Sequence, residues 1–263
     1  MEKIKNFLRN TLFRVLRIAG IILVIYVSMV FYLALTERRN AFPRAIYHKE
    51  ANEAIQGKAK PLSCTLEDGL TLSGFSMGQE NAPILLYYPE ADEDAAQFLA
   101  QVDSLPGVHI VTFNYRGSAQ NKGTPSEENF ENDAKQIFEC ASQVNGKAPH
   151  YLAGRGMGAI SAINQSHGGE TIILIDPILD IADAISLKYK ALYPKFLIRT
   201  RFYADQHKLA ENKAPISIIY DKKAVEEQSK TVVTAITNKQ EFFRNGQSLA
   251  AILLQVISKN LSP

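Results

Sequence analysis

Cysteine is scarce in this chain. Among its 263 residues only Cys64 and Cys140 are cysteines, and their spacing fits no metal motif. No metal or other cofactor is expected. A dominant charge of one sign is also missing: the formal net charge is +2, and charged residues make up 21% of the chain. Much of the small basic excess lies at the N-terminus, so the balance gives no reason to expect a nucleic-acid partner. There is no long low-complexity run and no internal repeat. Histidine is restricted in position. His48, His109, His150, His167 and His207 are the five, and none follows residue 207.

One long apolar run is present. Residues 18–35 are uncharged and mostly apolar, close to the ~20 residues that cross a hydrocarbon core of roughly 30 Å. Lys3, Lys5, Arg9, Arg14 and Arg17 precede the run, and Glu37, Arg38 and Arg39 follow it. A cleaved signal peptide is the rival reading. Against it, the run exceeds a usual signal core, and its exit, Tyr32-Leu33-Ala34-Leu35-Thr36, offers no small-x-small cleavage site. We therefore read residues 1–39 as a cytoplasmic N-terminus and a single-pass transmembrane anchor. The positive-inside bias is slight, with five Lys/Arg before the run and Arg38, Arg39, Arg44 and Lys49 after it. It favours a globular domain on the extracytoplasmic side. There Cys64 and Cys140 are either two small buried hydrophobes or a disulfide pair, and both readings stay open.

About 220 residues remain, enough for one α/β domain with a sizeable core. Residues 40–60 read as a polar linker and 61–263 as the domain. Asp68-Gly69 between two apolar runs, 62–66 and 70–75, is a hairpin signal. Continuous apolar runs follow at 83–88, 109–113, 149–153, 171–175 and 215–220, as expected of strands buried on both faces. Residues 95–105, 127–144, 157–165, 224–237 and 248–259 read as helices, with Phe130, Ala134, Ile137, Phe138, Ala141 and Val144 sharing one face of the second. A short strand is expected near 241–244. The alternation predicts a mostly parallel sheet with an N-terminal antiparallel hairpin and helices on both faces. Residues 181–212 interrupt it and are expected to form a small helical lid.

Between the strand at 149–153 and the next helix lies Gly154-Arg155-Gly156-Met157-Gly158. The turn has the form of Gly-x-Ser-x-Gly, which lifts a nucleophilic serine above an α/β sheet. With Phe113-Asn114-Tyr115-Arg116-Gly117, Thr124-Pro125-Ser126-Glu127 and Ile173-Leu174-Ile175-Asp176-Pro177-Ile178 in this order, the chain resembles the α/β-hydrolase superfamily. Within it the resemblance is to the membrane-anchored, serine-aminopeptidase-like branch. Glu67-Asp68-Gly69-Leu70, Tyr193-Pro194, Arg201-Phe202 and Ala214-Pro215-Ile216 extend it.

That resemblance implies a nucleophile, a base, an orienting acid and an oxyanion hole, and each position departs from the pattern. Gly156 stands where the serine belongs, and residues 154–159 contain no hydroxyl or thiol. Ser161, on the following helix, is the nearest hydroxyl and reads as packing. The base should follow the last strand, where residues 244–248 hold no histidine. His207 reads as a lid or solvent-facing residue. The acid position is occupied by Asp221, with Glu226 a poorer match. Without a histidine to orient, Asp221 is vestigial and reads as a helix cap or loop carboxylate. The oxyanion loop reads Tyr88-Pro89-Glu90, followed by Ala91-Asp92-Glu93-Asp94. Pro89 has no N–H to donate, and nearby carboxylates oppose a developing oxyanion. Asp92, Glu93 and Asp94 read as first-turn residues of the next helix, and Arg116 as a brace between loops.

The expected protein is thus a membrane-anchored pseudoenzyme that binds a partner protein or a small-molecule ligand. The alternative is a hydrolase of esters or peptides with a non-standard site. Nucleotide binding is the weakest reading, because the glycine turn lacks the Lys-Ser/Thr of a P-loop.

Overall fold

The computed structural model describes residues 2–103, 105–220, 236 and 238–261. They fall into two compact units. One comprises residues 1–41 and 182–200, the other residues 42–181 and 201–263.

In the larger unit eight strands form one sheet in the order β1-β2-β4-β3-β5-β6-β7-β8. The strands are β1 (Ala59–Thr65), β2 (Thr71–Gly78), β3 (Ile84–Tyr88), β4 (His109–Phe113), β5 (Tyr151–Arg155), β6 (Thr171–Ile175), β7 (Ile216–Tyr220) and β8 (Lys239–Phe243). β2 runs antiparallel to both β1 and β4, and every other pairing is parallel. Gly69 closes the β1–β2 turn at φ 80°, a backbone that glycine adopts at little cost.

The expected elements are present, with shifts of a few residues at their ends. They include α3 (Ala95–Val102), α4 (Glu127–Asn145), α5 (Gly158–Asn164), α7 (Gln206–Glu211) and α8 (Leu249–Leu261). The helix expected at 224–237 lies outside the described residues, apart from residue 236.

The central strands are mostly apolar because both faces are covered. Ile173 and Ile175 of β6 share a core with Phe98, Leu99 and Val102 of α3 and with Leu253 and Val256 of α8. Their neighbours Ile172 and Leu174 pack on the other face with Ala159 and Ile163 of α5 and Leu209 of α7. This period-two alternation fixes register, since a one-residue slip would exchange the two cores. Ser126 caps α4 as expected, accepting from the Asn129 N–H at 3.2 Å.

Residues 40–60, expected as a polar linker, carry local structure. Residues 42–60 belong to the larger unit and contain a helix, α2 (Lys49–Ala54), as well as the start of β1. His48 caps it through Nδ1, 3.3 Å from the Ala51 N–H, and Phe42, Ala45, Ala51 and Ile55 are buried. Apolar residues spaced through a polar stretch thus build a docked segment.

Cys64 of β1 and Cys140 of α4 form a disulfide, with Cα atoms 5.8 Å apart and 76 residues between them in sequence. A link across a loop of that length stabilises mainly by restricting the unfolded chain. Replacing both cysteines by alanine is expected to cost ~2–4 kcal/mol, read as a lower urea midpoint and a steeper slope than the disulfide-bonded native chain, because the unlinked unfolded chain is more expanded.

The smaller unit is built on α1 (Glu2–Ala41). Its most apolar window of 18 residues has a mean hydropathy of 2.6, and only 6% of it is buried. The helix is therefore long and apolar enough to span a membrane, and its apolar surface is left open. The segment expected to be one lid divides: residues 182–200 cluster with α1, and 201–212 with the sheet. This segment opens with α6 (Ile181–Tyr189) and continues through short 3₁₀ turns at Lys190–Leu192 and Lys195–Leu197. Within the unit the buried carboxylate of Glu37 accepts from the Tyr193 hydroxyl (2.6 Å), the Thr200 N–H (2.7 Å), the Thr200 hydroxyl (2.8 Å) and the Arg199 N–H (2.8 Å).

Candidate functional site

The sheet brings the two loops of interest together through register. Tyr88 pairs with Gly154 at the C-terminal ends of β3 and β5, the edge where open α/β sheets bind ligands. The residues after Tyr88 therefore face the turn after Arg155.

That turn is held firmly. Gly156 has φ 51°, in the left-handed region. Its N–H donates to Ile175 O at 3.0 Å, and its carbonyl accepts from Ile178 N at 2.9 Å and Ala159 N at 3.2 Å. A Cβ on Gly154 would come within 2.3 Å of Gly158 O, so β5 and the first turn of α5 touch backbone to backbone. A Cβ on Gly158 would lie 2.1 Å from Tyr88 O and 2.5 Å from Pro89 O. Gly154 and Gly158 thus permit two close backbone approaches, and Gly156 supplies the left-handed turn between them.

The space above Gly156 is filled. A Cβ there would lie 2.5 Å from Glu90 Oε1, 2.6 Å from Cδ and 2.9 Å from Cγ. The half-buried Glu90 side chain therefore stands where a nucleophile's side chain would begin. The loop donors are also committed. Pro89 has no N–H, and the Glu90 N–H donates to Glu93 Oε2 at 3.2 Å. Pro89 O accepts from the buried Tyr115 hydroxyl at 3.0 Å.

Glu93, which sequence reading placed in a helix turn, proves to be a hub. α3 begins only at Ala95, so Asp92 and Glu93 precede it and Asp94 is its N-cap. Buried Glu93 also accepts from the Tyr87 hydroxyl at 2.6 Å and pairs with Arg155 Nη1. Burial, then the Glu93 charge, pushes the Tyr87 hydroxyl well above its ordinary range, so it stays a donor. Arg155 Nη2 reaches Gln101 Oε1 at 3.2 Å. The Arg155–Glu93 pair locks the turn to the loop, and sequence reading missed it. Its only signal was an arginine inside the glycine turn opposite a carboxylate-rich loop.

The other named residues are placed elsewhere. Met157 is buried, and Ser161 is buried on α5 beside the Tyr115 hydroxyl. Arg116 binds both carboxylate oxygens of Asp133 at 2.6 Å and Asp68 at 2.9 Å, bracing α4 against the β1–β2 turn. His207 is exposed on α7, its N–H donating to Asp205 at 2.8 Å. His109 and His150 stand at the N-terminal starts of β4 and β5, and His167 contacts Glu170 at 3.3 Å. Asp221 and Glu226 lie outside the described residues. Among the described residues no three His, Cys, Asp or Glu side chains cluster as a metal site.

Strand order, the antiparallel lead-in and the strand–turn–helix at Gly156 define an α/β-hydrolase fold. No protein-family model matches the chain. It is 36% identical over 88 residues to the lysophosphatidylserine lipase ABHD12 of Rattus norvegicus, a match covering 32% of this chain and 22% of that protein. The chain thus spans about a quarter or less of these curated relatives' length, with 24% for the Danio rerio protein. Among solved structures it resembles an alpha-beta hydrolase from Vibrio vulnificus, with TM-score 0.63 and 15% identity over 88% of this chain and 92% of that one. It also resembles a membrane phospholipase A described as a bacterial virulence factor, with TM-score 0.56 and 12% identity over 98% and 100%.

Proposed function

We propose that this protein is a membrane-anchored α/β-hydrolase-fold pseudoenzyme that binds a lipid-like ligand without cleaving it. The observation that carries the reading is Glu90. Its carboxylate takes up the volume a serine at 156 would need, and it places negative charge where acyl transfer would create more. The missing histidine after residue 207 and the Glu90 N–H committed to Glu93 support the same reading. Gly154 to Gly158, Tyr88 to Glu90 and Asp221 are then remnants: the turn is kept for packing, and the loop is rebuilt around an ion pair.

The ligand class follows from the relatives' names, a lysophosphatidylserine lipase and a membrane phospholipase A. The open apolar length of α1 supports insertion in a bilayer. The Cys64–Cys140 disulfide supports an oxidising, extracytoplasmic setting for the larger unit.

The test is fluorophosphonate labelling and lysophospholipid hydrolysis by the full chain in detergent, beside Gly156→Ser and Gly156→Ser/Glu90→Gly. All three are expected to show no labelling and no turnover above buffer. Gly156→Ser is expected to lose ~1–3 kcal/mol of stability, since a serine at φ 51° is strained. Labelling or turnover by the native chain would establish the alternative, a hydrolase with a non-standard site.

A further inference from the structure

The smaller unit carries a second feature, separate from the glycine turn. Between residues 24–33 of α1 and the side chains of Tyr189 and Leu192 runs a groove of about 560 Å³. Its lining is almost wholly apolar. The one hydroxyl on the α1 wall away from a ring, Ser28 Oγ, is turned inward and donates to Val24 O at 2.8 Å. Tyr26 reaches the same segment, with its hydroxyl 3.5 Å from Ala191 O. The groove wall lies inside the uncharged run 18–35. At 1.5 Å of rise per residue, residues 24–33 cover roughly 14 Å of helix axis.

The segment opposite α1 is unusual for a water-facing surface. Leu187 is 50% exposed and Phe196 81% exposed. Lys188 and Lys190 are interleaved with them, and Lys195 beside Phe196 pairs with Asp183 at 2.6 Å. Long apolar side chains alternating with lysines suit the boundary of a bilayer, where lysine stems lie along lipid while their ammonium groups reach phosphate. The Glu37 carboxylate fixes this segment to α1 through Tyr193, Arg199 and Thr200. A helix that enters the membrane therefore carries residues 187–196 in with it.

We propose that residues 187–196 are immersed in the lipid leaflet at the C-terminal half of the α1 span, and that the groove holds one acyl chain of a bilayer phospholipid. This rests on the reading of α1 as a membrane anchor. Acyl chains are the solvent at that depth, and an apolar groove facing them fills with a chain because an empty one forfeits dispersion contacts. A site of this kind would hold lipid whether or not the glycine turn has chemistry.

The test uses the full chain reconstituted in phosphatidylcholine vesicles containing a phosphatidylcholine with a photoactivatable group midway along one acyl chain. Adducts are mapped by mass spectrometry after illumination. The expected result is labelling on residues 18–35 and also on residues 187–196. Ser28→Phe, which fills the groove, should cut labelling of residues 189–192 about tenfold, equivalent to roughly 1.4 kcal/mol of affinity, and leave labelling of residues 18–23 unchanged. Tyr189→Ala, which removes one wall, should lower it as well. Adducts confined to residues 18–35 overturn the groove and leave the anchor standing. Cross-links from residues 187–192 to a second copy in place of lipid also overturn it. Absence of adducts from both regions overturns anchor and groove together.

Discussion

Gly158→Ala is expected to lose ~4 kcal/mol of stability, a fall of roughly 8–16 °C in thermal midpoint for a domain of this size. Differential scanning calorimetry of the native and variant chains measures it. The added methyl would lie 2.1 Å from Tyr88 O and 2.5 Å from Pro89 O. Both are backbone atoms and cannot swing aside as a side-chain tip can. Tyr88 is the last residue of β3 and pairs with Gly154, so relief would require β3 and β5 to part. Gly156→Ser is the contrast. The three atoms nearest its Cβ belong to the Glu90 side chain, which yields at less cost than backbone. If Gly158→Ala cost no more than Gly156→Ser, the close packing of α5 on the loop would be wrong.

Arg116→Ala is expected to cost ~3–5 kcal/mol, because it strands a buried carboxylate. Arg116 grips Asp133 with two bonds of 2.6 Å, and Asp133 is only 1% exposed. Burial already raises the Asp133 carboxyl above its usual range, even with Arg116 pulling it down. The double variant Arg116→Met/Asp133→Leu should recover most of the loss, since an apolar pair of similar volume leaves no unpaired charge. Urea denaturation of the single and double variants decides it. Equal losses in both would locate the effect in packing of the arginine stem.

Much of the fold could be read from residue order. Continuous apolar runs located the strands of the sheet, and Asp68-Gly69 located its hairpin. The disulfide was not legible, because Cys64 and Cys140 are each apolar enough for a core and only the packing of α4 on β1 brings their Cα atoms to 5.8 Å. The α2 segment was missed because its helix is only six residues long and draws its stability from docking. At the candidate site, the replaced nucleophile and the proline in the loop were visible as residue types. The use made of the loop was not. Glu93 and Arg155 are 62 residues apart, and nothing in their local pattern distinguishes a lock from a solvated charge. Glu90 read as one carboxylate among four, until its position over Gly156 separated it from the others.

Asp94 has a consequence for how the larger unit opens. Its fully buried carboxylate accepts from the His48 N–H at 2.9 Å, the Asn52 amide at 2.9 Å, the Ala96 N–H at 3.1 Å and the Asn114 amide at 3.3 Å. Four donors from three stretches of chain, residues 48–52, Ala96 and Asn114, share one carboxylate. Releasing any one of them leaves that charge short of donors in a dry setting, so fraying of residues 48–52 cannot proceed alone. In hydrogen–deuterium exchange the amides of His48 and Ala96 should therefore exchange as one cooperative unit, and residues 48–52 should open only as fast as the start of α3 and the end of β4 to which they are tied.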